Sequence, residues 1–114
     1  MFGPEKPPAD FATRGGGLLG LRPKNFIGAT EDLIGAAVDL PKMIERYPSL
    51  TAPITILFGK DDGMLNYEKH GTAMQRKVPG LTLELIPGGH MLPITASRAT
   101  AEFIKTAART FEIT

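Results

Sequence analysis

Two stretches decide the fold: Pro53-Ile54-Thr55-Ile56-Leu57-Phe58-Gly59-Lys60-Asp61-Asp62 and Val78-Pro79-Gly80-Leu81-Thr82-Leu83-Glu84-Leu85-Ile86-Pro87-Gly88-Gly89-His90. The run Ile54–Phe58 is short, β-branched and almost wholly apolar, closed by a proline on one side and a glycine on the other. That pattern predicts a strand buried on both faces, as in a parallel sheet. Leu81–Ile86 alternates apolar and polar residues, so it predicts a second strand with one partly wet face, nearer a sheet edge. Between them, Asn66 is placed to cap a helix in which Tyr67, His70 or Gly71, Met74 and Val78 share a face, and Pro79-Gly80 stops it. A last helix from about Thr95 puts Ala99, Phe103, Ile104, Ala107, Ala108 and Phe111 on one stripe. Strand, helix, strand, helix predicts parallel strands with a crossover helix. Two strands are fewer than a stable open sheet usually has, so the chain reads as part of a sheet.

The upstream half is of a different kind. Residues 1 to 23 carry Pro4, Pro7, Pro8, Pro23, Gly3, Gly15, Gly16, Gly17 and Gly20, which predicts irregular chain. Its scattered apolar residues, Phe2, Phe11, Leu18, Leu19 and Leu21, suggest that it lies against something. Thr30 with Glu31 and Asp32 has the chemistry of a helix start. Leu33, Ile34, Ala37 and Val38 continue at helical spacing until Pro41, which should end or kink the helix and open a second one with Met43, Ile44 and Tyr47. The expected organisation is an irregular and helical segment over 1–50 and a strand–helix–strand–helix unit over 51–114.

Composition excludes several classes. The chain has 114 residues, 13 basic and 12 acidic, with a net charge of +1. That length suits one domain and no more. Charge is balanced on both sides of Pro53, so no basic footprint for nucleic acid exists. No cysteine is present, which removes disulfides, thiolate nucleophiles and cysteine-ligated zinc. No signal-peptide run opens the chain and no window nears the ~18 apolar residues of a membrane span. The expectation is a cytoplasmic protein with no membrane or nucleic-acid partner.

In open α/β sheets the ligand site lies beyond the carboxyl ends of the strands. Here one strand end delivers Asp61 and Asp62, and the other delivers His90. Adjacent strands lie ~5 Å apart, a gap an aspartate can bridge to an imidazole. A carboxylate on one ring nitrogen fixes the tautomer and stabilises the imidazolium formed when the other nitrogen takes a proton.

The combination resembles the C-terminal part of an α/β-hydrolase-fold enzyme: a strand, Gly-x-x-Asp, a helix ending near Pro-Gly, a strand, Gly-Gly-His and a closing helix. The resemblance covers about residues 50 to 111, and the order acid then histidine agrees with the family. It implies a partial α/β-hydrolase-like parallel sheet, its last two strands with flanking helices, preceded by a cap-like segment. It implies His90 as general base and Asp62, the fourth position of Gly59-x-x-Asp, as the acid that orients it. Asp61 would then be a solvated neighbour. The nucleophile elbow Gly-x-Ser-x-Gly does not occur in the sequence, whose only serines are Ser49 and Ser97. The expectation is therefore the C-terminal portion of a hydrolase, acting on an ester, amide, epoxide, carbon–halogen or carbon–carbon bond of a small molecule. Its nucleophile lies outside the chain, it needs no cofactor, and the isolated chain is inactive.

Blander readings stand beside this. A non-catalytic remnant or binding module of the same fold would keep Gly-x-x-Asp and Gly-Gly-His as turn residues. A receiver-like or nucleotide-binding domain would need early acidic or glycine signatures that the irregular start contradicts. His70 reads as a packing or surface residue, and Asp61, Asp62, His70 and His90 match no metal-ligand spacing. Gly15-Gly16-Gly17 lacks the strand and Gly-Lys-Ser/Thr ending of a phosphate loop. Met64 and Leu65 read as residues that pack or face a pocket, and Arg14 and Arg22 as solvated ones. Two strands with an open edge predict marginal stability or self-association through that edge.

Overall fold

The computed structural model describes residues 1–111, with the Phe111 side chain, expected on the last helix's apolar stripe, outside the described part. The chain is mixed α/β. Strands β1 (Thr55–Gly59) and β2 (Thr82–Ile86) form a two-stranded parallel sheet in the register Thr55 to Thr82 through Gly59 to Ile86. Between them run a π turn (Glu68–Thr72) and a short helix α2 (Ala73–Lys77); after them come α3 (Leu92–Thr95) and α4 (Ser97–Phe111). Upstream stand a 3₁₀ turn (Gly17–Leu21), the long helix α1 (Pro23–Arg46) and a second 3₁₀ turn (Tyr47–Ser49).

The chain divides into two compact units, Pro7–Tyr47 and a second made of Pro48–Thr114 together with Met1–Lys6. The first six residues thus pack with the sheet. Phe2 explains why: it is one of the buried apolar side chains, with Val78, Leu81 and Leu92.

Strand alternation sorts the sheet residues onto two faces. Ile56, Phe58, Leu83 and Leu85 share one, and the π turn covers it. A Cβ at Gly71 would meet the Leu83 and Phe58 side chains at 3.1–3.4 Å, so glycine lets the turn lie close to the sheet. Asn66 caps this turn as expected, its Oδ1 accepting the Lys69 amide at 2.9 Å. The other face carries Thr55, Thr82 and Glu84 and meets α4 around Phe103 and Ala107. β1 is half-buried along most of its length, not enclosed on both faces, because a short helix and a single long one cannot cover five residues from both sides. The expected stripe of the last helix is likewise narrower. Phe103 and Ala107 are half-buried, whereas Ala99, Ile104 and Ala108 are exposed.

The long helix corrects two expectations. It starts at Pro23, not near Thr30, because a proline in the first turn has no donor to waste and a suitable φ. The Thr30 hydroxyl instead bonds back to the Phe26 carbonyl at 2.9 Å, inside the helix. Pro41 neither ends the helix nor opens a second one. Its missing amide leaves the Ala37 carbonyl without an intrahelical donor, and that turn is exposed, so water can serve it.

Candidate active site

Parallel pairing brings Gly59 and Ile86, the carboxyl ends of both strands, side by side, and the ladder runs on past them. The Lys60 amide donates to the Ile86 carbonyl and the Asp61 amide to the Gly88 carbonyl, both at 2.9 Å. Asp61 Oδ2 then accepts the Gly88 amide at 3.0 Å. Asp61 is therefore a clasp between the two loops, not merely a solvated neighbour. Gly59 is what allows the approach: a Cβ there would run into the carbonyl oxygens of Gly88 and Gly89.

One residue further on, Asp62 uses both carboxylate oxygens. Oδ1 accepts the amides of Met64 at 2.8 Å and Leu65 at 2.9 Å. Oδ2 lies 2.8 Å from His90 Nδ1. The Asp62 side chain is only 5% exposed, against 30% for His90, so the acid is covered and the imidazole opens outward. Burial alone would raise the carboxyl's pKa. The Leu65 amide, the His90 hydrogen bond, the Met64 amide and the charge of His90 outweigh it and hold Asp62 below its ordinary value of 3.8. An ionised carboxylate can only accept, so the proton shared with His90 sits on Nδ1. Nε2 is left as the nitrogen that can take a proton.

This pair lines an open hollow of about 140 Å³ with Leu57, Leu65, Gly89 and Leu92. A hollow of about 160 Å³ lies at the amino ends of the strands, by Thr55, Thr82 and Phe103, but contains no acid–base pair. The Asp62–His90 pair is at the carboxyl ends.

The sequence reading missed Glu5. Both of its carboxylate oxygens accept the Gly89 amide, at 3.0 and 3.2 Å. The two residues are 84 positions apart, and no local pattern announces such a pairing; the lone Phe2 among glycine and prolines was the only cue. Met64 is exposed and Leu65 partly so, and their amides matter more to the site than their side chains. His70 is exposed on the π turn. Among the described residues no three His, Asp or Glu side chains gather as metal ligands. Gly15 and Gly17 pack against the Phe11 ring, and Arg14 makes an exposed ion pair with Asp10 at 3.7 Å. Ser49 closes a 3₁₀ turn before β1 and Ser97 opens α4, so neither stands on a strand-to-helix turn. Among the described residues no helix is long and apolar enough to cross a membrane. Comparison with protein-family models, curated proteins and solved structures found no match.

Proposed function

We propose that this chain supplies the acid and the histidine of a nucleophile–histidine–acid triad in a hydrolase of the α/β-hydrolase type. The observation that carries the reading is the 2.8 Å bond from His90 Nδ1 to a covered, ionised Asp62 at the carboxyl ends of two parallel strands. Asp62 fixes the tautomer, and Nε2 withdraws the proton of a nucleophile and returns it to the leaving group. The small hollow beside the pair, walled by Leu57, Leu65 and Leu92, suits part of an uncharged small-molecule substrate, such as an ester. The nucleophile comes from a polypeptide segment beyond these residues.

A second reading is favoured by one specific observation, the lack of a Gly-x-Ser-x-Gly elbow in the sequence. On that reading the chain is a non-catalytic binding module, and the Asp62–His90 bond only locks two loops together. Reading the gene in frame upstream of the Met1 codon, then assaying its full product on p-nitrophenyl esters, separates the two. The hydrolase reading expects a strand–elbow–helix sequence there, and a kcat/KM about 10⁴-fold lower in His90→Ala and Asp62→Asn. Hydrolysis unaffected by either change, or none at all, sinks it in favour of the binding module.

A further inference from the structure

We propose that Glu5 is a positioning residue of the acid–histidine pair: its carboxylate pins the Gly88–Gly89 turn that carries His90 and so keeps the imidazole on Asp62. This rests on the reading of that pair as the acid and base of a triad.

Two successive glycines are the least constrained backbone a histidine could be mounted on. Gly88 has a φ of +133°, a conformation only glycine adopts readily. Such a turn holds one geometry only if something outside it does the holding. Two carboxylates do so, on successive amides. Asp61 takes the Gly88 amide from the β1 side, and Glu5 takes the Gly89 amide with both oxygens from the amino-terminal side. Charge-assisted bonds of this kind are about twice as strong as neutral ones.

Glu5 is itself held in place. Phe2, three residues before it, is 9% exposed and anchors the segment Met1–Lys6 in the same unit as the sheet. The Gly3 carbonyl lies so close to Gly89 that a Cβ at Gly89 would strike it, as well as Glu5 Oε2. The glycine next to His90 is thus shaped to receive this strap, not only to turn the chain. Removing the carboxylate leaves Gly89 with a free amide and His90 on a turn tethered from one side.

The molecule has two histidines, His70 and His90, so the ring protons can be assigned by NMR with a His70→Gln variant. A proton shared between imidazole Nδ1 and a carboxylate resonates far downfield and is visible only while that bond is kept. In Glu5→Ala the downfield His90 signal should broaden or vanish, while the amides of β1 and β2 keep their shifts. The Gly89 amide should exchange on the order of tenfold faster, as fits the loss of one hydrogen bond to a charged group. Glu5→Gln, whose side-chain oxygen can still accept one bond, should retain part of the signal. A His90 signal and titration identical to the parent in both variants overturns the proposal, whether or not Gly89 exchange changes. Should Glu5→Ala fail to fold, Glu5→Gln and Glu5→Asp are read by the same criterion. No readout here is hydrolysis, so an inactive protein whose His90 signal responds to Glu5 would remove the hydrolase reading alone.

Discussion

Asp62 gathers three donors on one carboxylate, and the sign of its effect on stability follows. Its pKa is lower folded than unfolded, so around and below 3.8 the unfolded chain binds more protons than the folded one. The stabilisation is fully present above that ordinary value and is lost as pH falls through the depressed folded one. Urea unfolding followed from pH 6 down to 2 should show this acid limb, and Asp62→Asn should flatten it. An unchanged limb in the variant would mean that other carboxyls cause it. Gly59 gives a second test. Gly59→Ala pushes a methyl group into the Gly88 and Gly89 carbonyls and should destabilise by about 2–3 kcal/mol. At Gly63 a Cβ meets nothing within 4 Å, so Gly63→Ala should stay within about 0.5 kcal/mol of the parent. Asp62 and His90 were legible from sequence because each follows a strand directly, where period and turn residues fix the position. Glu5 was not, since a contact across 84 residues leaves no trace in local spacing. Asp61 was half legible: its place in the loop could be read, but not its bond to Gly88.

At the scale of elements, both strands could be read to within a residue at each end, because a β-branched apolar run and an alternating one, each bounded by Pro and Gly, admit few other conformations. Helix starts were less legible. Thr30 has the chemistry of an N-cap, but a threonine in mid-helix satisfies its hydroxyl against the preceding turn, and Pro23 set the start instead. Pro41 overrode its usual meaning because the turn around it is exposed, where a lost intrahelical bond is made up by water. Pro41→Ala restores that bond and should stabilise α1 by about 3 kcal/mol, read as slower amide exchange along residues 34–44. No change there would mean the helix is already broken at 41 in solution. Thr100 in α4 has a buried hydroxyl with no partner among the described residues. Replacing it with the isosteric Val removes an unsatisfied polar group, so Thr100→Val should stabilise by about 1 kcal/mol in a thermal melt.

At the scale of the whole molecule, little apolar surface is fully covered: among the described residues Phe2, Val78, Leu81 and Leu92 are the buried apolar side chains, while Leu33, Ile34 and Val38 of α1 are each 60% exposed or more. A small core leaves little margin over the entropy of ordering the chain. Deleting the Phe2 ring should therefore be felt throughout the unit that contains the sheet; Phe2→Ala is expected to cost about 3 kcal/mol, enough to unfold a marginal domain at room temperature. The sheet adds a second consequence. With the order β1–β2 and no further strand among the described residues, each strand pairs on one side and presents unpaired amides and carbonyls on the other. Such edges recruit further strands unless charge, proline or cover blocks them, and the outer edge of β1 begins after Pro53 without any charged residue before Lys60. Sedimentation velocity over a hundredfold range of concentration should show a mean mass that climbs above 12.3 kDa. Hydrogen exchange on the same samples should slow in β1 as the mass rises, whereas α1 amides should stay fast if the edge, not the helix, is the contact. A mass that stays at the monomer value throughout would show that the two strands hold without a neighbour, and slowing in α1 alone would move the contact to the helix.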